Sequence, residues 1–511
     1  MITRQAVAII MLGIAVRIGA QETRGDGTIG ADDGRFDGAR AVIQRLMETE
    51  KLPGVSVALA KDGKVIWQQA FGYANVEKKI AATPHTAYSL ASISKPITAT
   101  GLMRLVEQKK VDLDRPANDY LEAAQLRGLA GDASAATVRR VLSHTGGLPL
   151  HYQFYYADLP YTEPPMADTI SRYGILVNPP GAVYQYSNLG YGIVDQIIER
   201  ASGERYAAYM RRDVFEPLGM SHTSVHLDER TRGHAAERYD VASKAIPYYD
   251  FNHDGGSAVY ACAHDLVRFG MFHLGNRLPE QRAVISEETR HAIRRVETPA
   301  GSTQQYGLGW FVGEESGMRR IWHTGSMPGV TTILNLYPDE NMAAVVLLNA
   351  ANVQVGAIAQ AVIAPFKPKV PPKVVGRDET TQPSAPPARR AFTPTSDQLG
   401  EWSGTVKTWE RDLSLMMEVE KDGDVKIRIA GQLQTLLNQV SWSGDRLTGR
   451  FAGRIPTADA GRHPHVIGLD LRMRDGKLTG QAVAQTTDQP VYFALASYVE
   501  LRRQSSSTDA R

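Results

Sequence analysis

Residues 88–114 read YSLASISKPITATGLMRLVEQKKVDLD, a short polar segment that runs into a well-formed amphipathic helix pattern. Ser92 and Lys95 stand three positions apart, where this helix should begin. Residues i and i+3 share a helix face, so the lysine side chain can reach the serine hydroxyl. Serine at a helix start is usually a cap. Two interpretations of Ser92 are therefore open: a helix cap, or a nucleophile whose partner is Lys95.

The second interpretation requires Lys95 to activate the hydroxyl of Ser92. A serine hydroxyl is a weak nucleophile until a neighbouring base removes its proton. A lysine can help when burial or another cation lowers its pKa. The helix N-terminus would add free N–H groups and the positive end of the helix dipole, both suited to a developing oxyanion. The S-x-x-K pattern alone is weak, because most such patterns are ordinary surface chemistry.

A second segment of interest is NPPGAVYQYSNLGYGIVDQIIER at residues 178–200. Its Tyr186, Ser187 and Asn188 lie in a glycine-flanked turn just before an apolar helix pattern. The tyrosine hydroxyl could exchange a proton with Ser92, and the Asn188 amide could hold a substrate carbonyl. The alternative is structural: Tyr186 packs in the turn and Asn188 caps the helix.

A third segment, IWHTGSMPGV at residues 321–330, predicts a strand that ends in His323, Thr324 and Gly325. Such a strand offers a backbone edge to an extended substrate, and glycine allows that substrate to approach closely. The backbone N–H of Ser326 could then join that of Ser92 as an oxyanion hole. The alternative is a strand that runs into a glycine turn, with an ordinary half-buried histidine.

In this order, the S-x-x-K, Y-S-N and H-T-G motifs resemble those of the serine β-lactamase-related superfamily. The nearest pattern is the branch of class C β-lactamases, D-alanyl-D-alanine carboxypeptidases and esterases, with peptidase S12-like members. The resemblance covers residues 40–364. Five further stretches agree with it: LVEQKKVDLDRPANDYL (105–121), LSHTGGLP (142–149), FEPLGMSHT (215–223), GGSAVYACAHDLVRF (255–269) and YGLGW (306–310).

The resemblance implies catalytic roles for Ser92, Lys95 and Tyr186. Ser92 would be the acylated nucleophile, and Lys95 and Tyr186 would share the work of the general base. Which of the two acts in each step stays open. The resemblance also implies a substrate-binding set made of Asn188, His323, Thr324, Gly325 and Ser326.

His323 is the one departure from the β-lactamase pattern, since many β-lactamases carry a lysine there. A lysine provides a fixed positive charge for a substrate carboxylate, whereas histidine is largely neutral near pH 7. The resemblance therefore predicts an exported serine hydrolase that forms an acyl-enzyme with a small ester, an amide or a D-amino-acid peptide. The alternatives are a true class C-like β-lactamase and a penicillin-binding module with slow turnover.

The 511 residues are too many for one core, and the pattern predicts an α+β domain at residues 21–366. Its N- and C-terminal strands should share one antiparallel sheet, flanked by helices and a helical subdomain. Residues 54–72 predict a hairpin across Asp62 and Gly63. Four later strands are predicted at 306–312, 320–325, 331–337 and 342–349.

A proline-rich segment at residues 367–395 predicts a linker, and residues 396–505 are rich in strand patterns. A hairpin is expected across Asp422 and Gly423. The near-copies GDRLTG (444–449) and DGKLTG (475–480) each precede a strand. These repeated hairpins predict a small barrel or sandwich, which resembles the lipocalin-like domains appended to some such hydrolases.

Residues 1–20 contain Arg4 and Arg17, no acidic residue, and an apolar run at 6–16. The run is too short to span a bilayer and is typical of a signal peptide, which predicts a periplasmic or secreted protein without a stable membrane span. The formal charge of +2 and the lack of a basic face argue against a nucleic-acid partner. The expected partner is a small-molecule or peptide substrate; the sequence does not indicate an oligomeric state.

Two segments partly resemble metal-binding motifs, but each lacks a ligand that such a motif requires. DFNHDGG at 250–256 opens like a calcium loop, but Ala261 occupies the twelfth position, where a bidentate glutamate is needed. His463 and His465 have no third ligand near them in the sequence. A turn and a surface loop are the favoured interpretations.

The remaining isolated residues of reactive type are interpreted as structural. His144 and His151 lie near a loop, and Cys262 has no histidine partner beside it in the sequence. Cys262 is the only cysteine, so no intramolecular disulfide can form. The sequence therefore predicts neither a metal nor an organic cofactor for the reaction.

Overall fold

The computed structural model describes residues 27–276, 278, 280–351, 353–368, 392–486 and 491–504. The predicted signal peptide and most of the predicted linker lie outside these ranges. None of the helices in the described ranges is both long and apolar enough to cross a lipid bilayer.

The first domain combines short helices with a large antiparallel sheet. Its strands are β1 (Gly54–Lys61), β2 (Lys64–Asn75), β3 (Ile80–Ala81), β4 (Tyr88–Ser89), β5 (Tyr152–Gln153), β6 (Tyr155–Tyr156), β7 (Ser224–Val225), β8 (Tyr249–Asp250), β9 (Val259–Ala261), β10 (Thr298–Pro299), β11 (Gln305–Tyr306), β12 (Phe311–Glu315), β13 (Met318–Met327), β14 (Val330–Tyr337) and β15 (Met342–Leu348). Its α-helices are α1 (Asp37–Thr49), α2 (Ser94–Glu107), α3 (Val138–Leu142), α4 (Met166–Tyr173), α5 (Asn188–Ser202), α6 (Tyr206–Met210), α7 (Asp254–Ser257), α8 (Ala263–Leu274), α9 (Glu287–Ile293) and α10 (Val355–Ile363).

The main sheet has nine strands in the order β10-β11-β12-β13-β14-β15-β1-β2-β3. β1 pairs with β15 in antiparallel register, so the early and late strands share one sheet, as predicted. The predicted hairpin of β1 and β2 is also confirmed. Asp62 and Gly63 both have positive φ, at 51° and 77°, which suits the tight turn of a twisted hairpin.

The sheet is covered on both faces. Along β1, Val55, Val57 and Leu59 belong to a core shared with α1 and α10, whereas Ala58 and Ala60 belong to the core on the other face. Alternation of side chains along a strand produces this division. α2, which the sequence predicted after the S-x-x-K motif, lies in the second core with nearly every residue buried.

The predicted strand at 306–312 is wrong in part, and the other three late strands are confirmed. β11 ends at Tyr306 and β12 begins at Phe311, with a turn between them. Gly309 in this turn has a φ of 89°, and a Cβ there would lie 3.0 Å from the Cβ of Ala99 and 3.1 Å from the carbonyl oxygen of Lys95. The glycine breaks the strand because the turn packs directly onto α2.

The second domain is an all-β, nearly closed barrel. Its strands are β16 (Gly400–Lys407), β17 (Asp412–Val419), β18 (Val425–Ile429), β19 (Thr435–Leu436), β20 (Asn438–Ser443), β21 (Arg446–Ala452), β22 (Val466–Arg474), β23 (Lys477–Gln485) and β24 (Phe493–Arg503). The strands follow one another in the sheet except that β16 pairs with β24. This up-and-down order confirms the predicted repeated hairpins, including the turn at Asp422 and Gly423.

The barrel docks onto the first domain through β24. β5 of the first domain adds to β24 as an extra antiparallel strand, with Gln153 opposite Phe493. Nearby, the Asp459 carboxylate accepts a hydrogen bond from the Tyr173 hydroxyl at 2.8 Å and pairs with Arg172 at 3.2 Å. Backbone pairing and a largely buried charge pair thus hold the two domains together.

We expect Asp459→Ala to lower the free energy of unfolding by about 1–3 kcal/mol, because the buried Tyr173 hydroxyl loses its acceptor. Urea-induced unfolding measures this change. Asp445→Ala is the matched control, since Asp445 pairs with Arg472 at 2.8 Å while its own side chain is 52% exposed. An exposed pair contributes about 0–1 kcal/mol. Equal unfolding midpoints for the two variants would contradict the docking role of Asp459.

Candidate active site

Ser92 lies in a short 3-10 helix, Ala91–Ile93, between β4 and α2. Its side chain caps neither this helix nor α2, so the capping interpretation of Ser92 does not describe the structure. Ala91, just before it, has a φ of 49°, in the left-handed region that non-glycine residues rarely adopt. This turn leaves the Ser92 hydroxyl at the edge of a pocket while Ala91 and Ile93 are fully buried.

Lys95 is completely buried, and its amine has three acceptors within hydrogen-bond distance. Nζ lies 2.8 Å from Oδ1 of Asn188, 2.9 Å from the carbonyl oxygen of Gly256 and 3.1 Å from Oγ of Ser92. All three acceptors are uncharged. Burial lowers the pKa of Lys95 well below its usual value, because an ammonium loses its hydration there.

Burial disfavours the ammonium, and the neutral amine can make all three contacts. A neutral amine has two N–H groups and one lone pair. The amide oxygen of Asn188 and the carbonyl of Gly256 can only accept, so they take the two N–H groups. The remaining tetrahedral direction, which carries the lone pair, then points at the Ser92 hydroxyl. Lys95 is thereby arranged to take the proton of Ser92.

Tyr186 and Asn188 lie at the entry to α5, as the sequence indicated. The side chain that caps α5 is that of Ser187, which accepts the N–H of Gly190 at 2.9 Å. The alternative in which Asn188 is the cap is therefore wrong, and its amide faces Lys95 instead. The Tyr186 hydroxyl lies within hydrogen-bond reach of Ser92, and the Lys95 amine lies 4.8 Å from the centre of the Tyr186 ring.

Tyr186 is held in its protonated form. Burial raises the pKa of this phenol, and the hydrogen bond with Ser92 only partly offsets the effect. A protonated phenol can pass a proton on but cannot begin by taking one. Of the two base candidates left open by the sequence, the geometry and burial favour Lys95 for the first proton transfer.

His144 supports the second motif from behind, in agreement with its interpretation as a structural residue. Its ring packs 4.3 Å from that of Tyr186 and 4.8 Å from that of Tyr306. Its Nδ1 accepts the backbone N–H of Ser187 at 3.1 Å, which fixes the turn that carries Tyr186. His144 belongs to the LSHTGGLP stretch, but its contact with the second motif depends on tertiary packing.

The third motif lies on the open part of β13. β12 pairs with β13 only up to Trp322, so residues 323–327 have β14 on one side and no described strand on the other. Thr324 and Ser326 are exposed toward the pocket. At Gly325 a Cβ would lie 2.1 Å from the carbonyl oxygen of Leu90. Glycine is needed there to bring β13 against the segment that carries Ser92.

His323 is buried and neutral. Burial lowers its pKa to about 3. Its Nδ1 lies 2.7 Å from the carbonyl oxygen of Thr324, and its Nε2 lies 3.3 Å from the Tyr306 hydroxyl. Nδ1 therefore carries the proton, and Nε2 accepts from the tyrosine. His323 adds no positive charge to the pocket.

The pocket in front of Ser92 has a volume of about 720 Å³. Both domains line it, since Tyr152 and Phe154 come from the first domain and Tyr492 comes from the barrel. The ring of Tyr492 stacks 5.2 Å from that of Tyr152 and 5.6 Å from that of Phe154. Asp240 is the one carboxylate among the described lining residues, which include no lysine or arginine.

The calcium-like segment is occupied by an ion-pair network. His226 lies 2.9 Å from a carboxylate oxygen of Asp250 and 2.8 Å from one of Asp254. Burial opposes the charging of this imidazole, but the two hydrogen bonds raise its pKa to about 11. The histidinium thus satisfies the carboxylates that the calcium pattern would use. It also fixes the start of α7, whose Gly256 carbonyl accepts from Lys95.

A family model described as Beta-lactamase matches residues 39–364. The chain belongs to the Beta-lactamase family. The resemblance inferred from the three motifs is thus confirmed. The match spans the domain that carries Ser92, Lys95, Tyr186 and His323.

The individual proteins that this chain is similar to are distant in sequence. Protein flp of Staphylococcus aureus (strain MRSA252) is 23% identical over 315 residues, which cover 60% of this chain and 62% of flp. The match therefore spans less than two thirds of the length of that relative. The structure of SurE with D-Leu is 22% identical, with a TM-score of 0.58, and covers 92% of this chain and 99% of that one. A class C beta-lactamase structure is 19% identical, with a TM-score of 0.56, and covers 66% of this chain and 97% of that one.

We expect Asn188→Asp to move the acid limb of the kcat/KM profile to higher pH by about 1–3 units, because a carboxylate beside Lys95 favours the ammonium. Activity that depends on the neutral amine then appears only at higher pH. Rates measured across pH with an activated ester test this expectation.

Asn188→Ala is the control for this change. It removes the acceptor without adding a charge, so the rate should fall while the acid limb stays at or below its original pH. If the acid limb of Asn188→Asp coincides with that of the unaltered protein, Lys95 is not the base.

Proposed function

We propose that the chain is a serine hydrolase that forms an acyl-enzyme on Ser92 and cleaves uncharged esters or amides, including D-amino-acid amides and peptides. The observation that carries the proposal is the position of the buried Lys95 amine. Its Nζ lies 3.1 Å from the Ser92 hydroxyl, and two oxygens that can only accept hydrogen bonds take its N–H groups. This arrangement supports proton abstraction from serine without a metal or an organic cofactor.

In the proposed acylation, Oγ of Ser92 attacks the substrate carbonyl carbon and its proton passes to Nζ of Lys95. The backbone N–H groups of Ser92 and Ser326 hold the oxyanion. The carbon–leaving-group bond then breaks, and the leaving group receives a proton through Tyr186, which Lys95 replenishes. Deacylation reverses the proton path: water loses a proton toward Lys95, attacks the acyl carbon, and Ser92 recovers its own proton.

The pocket supports an uncharged acyl group with an apolar side. His323 is neutral, and the described lining residues provide no cation to pair with a substrate carboxylate. The aromatic wall of Tyr152, Phe154 and Tyr492 offers stacking and apolar contact instead. The carboxylate of Asp240 would favour a substrate amine over a substrate acid. A β-lactam, which carries a carboxylate, fits this pocket less well.

Two observations support the D-amino-acid part of the proposal. Extended substrate could pair with the open edge of β13 at residues 323–327, as a peptide strand pairs with a sheet edge. SurE, whose fold this chain shares, has been solved with D-Leu. We also propose that residues 1–20 are a signal peptide and that the enzyme works in the periplasm or outside the cell.

The first test is a burst experiment with an activated ester on the native chain and on Ser92→Ala. Acyl-enzyme formation predicts a stoichiometric burst followed by slower turnover, and Ser92→Ala should lose at least about a thousandfold in rate. Ser171→Ala is the control, because Ser171 is exposed on α4 and does not line the pocket. Retained activity in Ser92→Ala would exclude Ser92 as the nucleophile.

The substrate class is tested with the same preparations. An uncharged D-amino-acid anilide or ester should be cleaved with a higher kcat/KM than a chromogenic cephalosporin. Faster hydrolysis of the cephalosporin would instead identify a β-lactamase. A burst without subsequent turnover on every substrate would identify a penicillin-binding module.

We expect Tyr492→Ala to lower kcat/KM for an ester with an apolar acyl group about 5- to 30-fold, which corresponds to about 1–2 kcal/mol of lost contact. The effect should be mainly on KM, because the residue contacts the substrate body and not the reacting atoms. The backbone pairing of residue 492 with Phe154 survives the change.

Trp442→Ala is the control for Tyr492→Ala, since Trp442 of β20 stacks on Phe392, which precedes the barrel, and neither residue lines the pocket. Its KM should match that of the unaltered protein. An unchanged KM in Tyr492→Ala would mean that the barrel does not contribute to substrate binding.

A further inference from the structure

A cluster of histidines surrounds the single cysteine at one end of the small sheet β4-β9-β7. His85 precedes β4, His222 precedes β7, and Cys262 follows β9. β4 and β7 both pair with β9 in antiparallel fashion, so the starts of the outer strands lie beside the end of the central one. Three residues that are far apart in sequence are brought together by this topology.

The donor atoms of these residues are close enough to share a ligand. A ring nitrogen of His85, a ring nitrogen of His222 and Sγ of Cys262 all lie within 4.8 Å of one another. A tetrahedral zinc ion holds nitrogen and sulfur donors about 3.3–3.6 Å apart. Both histidines are half-buried, so small rotations of their side chains can close the difference.

Asp265 provides an independent indication of a cation. Its Oδ2 accepts the backbone N–H of His222 at 2.7 Å and the Thr223 hydroxyl at 2.8 Å. Its Oδ1 is buried and has no hydrogen-bond partner among the described residues, although the side chain is fully inaccessible to solvent. A buried carboxylate oxygen without a partner is costly, and a cation beside the sulfur would satisfy it.

Cys262 is arranged to become a thiolate when a metal is present. Its Sγ caps α8 and accepts the N–H of Asp265 at 3.3 Å, and the helix N-terminus favours negative charge. A metal that binds the sulfur displaces the thiol proton on coordination.

We propose that His85, His222 and Cys262 bind one zinc ion, with the Asp265 carboxylate beside the site and water completing the coordination. Thiolate and imidazole donors select zinc over magnesium or calcium. None of the four residues lines the pocket in front of Ser92. The inference therefore stands or falls independently of the proposed function.

The zinc would join three strand ends behind the nucleophile segment. β4 leads directly into the turn at Ala91, and the N–H of Leu90 bonds to the carbonyl of Val259 in β9 at 2.8 Å. Bound zinc stabilises the folded state more strongly the tighter it binds, because the unfolded chain does not hold the three ligands together. The site would thus stabilise the segment on which Ser92 lies without taking part in the reaction.

The test uses the full chain, purified without a polyhistidine tag and equilibrated with zinc. Elemental analysis after gel filtration should find one zinc ion per chain. Cobalt substitution should give thiolate-to-cobalt charge-transfer absorption, which reports the cysteine ligand directly. A chelator should lower the thermal unfolding midpoint of the loaded protein.

Variants separate this site from adventitious binding. His222→Gln and Cys262→Ala should each weaken zinc binding by more than the about 10- to 100-fold that loss of an outer-sphere partner costs. Both variants should lose the response of the unfolding midpoint to zinc. His291→Gln is the control, because this histidine is 64% exposed on α9 and should leave zinc binding unchanged.

Two outcomes would overturn the proposal. One is substoichiometric zinc, with no charge-transfer band, on the unaltered chain. The other is equal zinc affinity in the unaltered chain and in His222→Gln. The second comparison remains decisive even if Cys262→Ala fails to fold, since His222 lies at a half-exposed position where glutamine is tolerated sterically.

Discussion

The buried amine of Lys95 is the constraint on which the rest of the site depends. An ammonium without a carboxylate partner is unstable in such a setting, so the fold keeps this group neutral. Two elements provide the oxygens that orient it: α5 through Asn188 and α7 through Gly256. The ion pair of His226 with Asp250 and Asp254 fixes α7 from behind. The ion-pair network behind α7 therefore holds the uncharged hydrogen-bond network of Lys95 in place.

Much of the first domain could be predicted from sequence because its signals are local. The hairpin of β1 and β2, the strands β13 to β15 and the amphipathic α2 follow from alternation, turn residues and helical spacing. The prediction of a strand at 306–312 is wrong in part, because the apolar pattern of this segment suits a strand whereas Gly309 forms a turn in close contact with α2. Such a contact joins residues far apart in sequence and leaves no periodic trace.

The residues of the candidate site likewise divide into those that the sequence indicates and those that only the folded structure shows. Ser92, Lys95, Tyr186, Asn188 and the third motif were recognisable because motif spacing survives in the sequence. The contacts of His144 with Tyr186 and Tyr306 were not, since they come from tertiary packing. The proximity of histidines to Cys262 was not predicted for the same reason, because antiparallel pairing of three short strands brings these residues together. Tyr492 lies in a domain without a concentration of catalytic residue types, so sequence alone gave no reason to connect it with the pocket.

The addition of β5 to β24 has a consequence for the order in which the pocket is completed. β24 follows the other strands of the barrel in sequence, and it both closes the barrel against β16 and places Tyr492 beside the pocket of Ser92. Domains fold largely as they are synthesised, beginning at the N-terminus. Ser92 and Lys95 are therefore synthesised long before Tyr492, which lines the same pocket as Ser92. The aromatic wall of Tyr152, Phe154 and Tyr492 is complete only after the barrel strands that precede Tyr492 have been made.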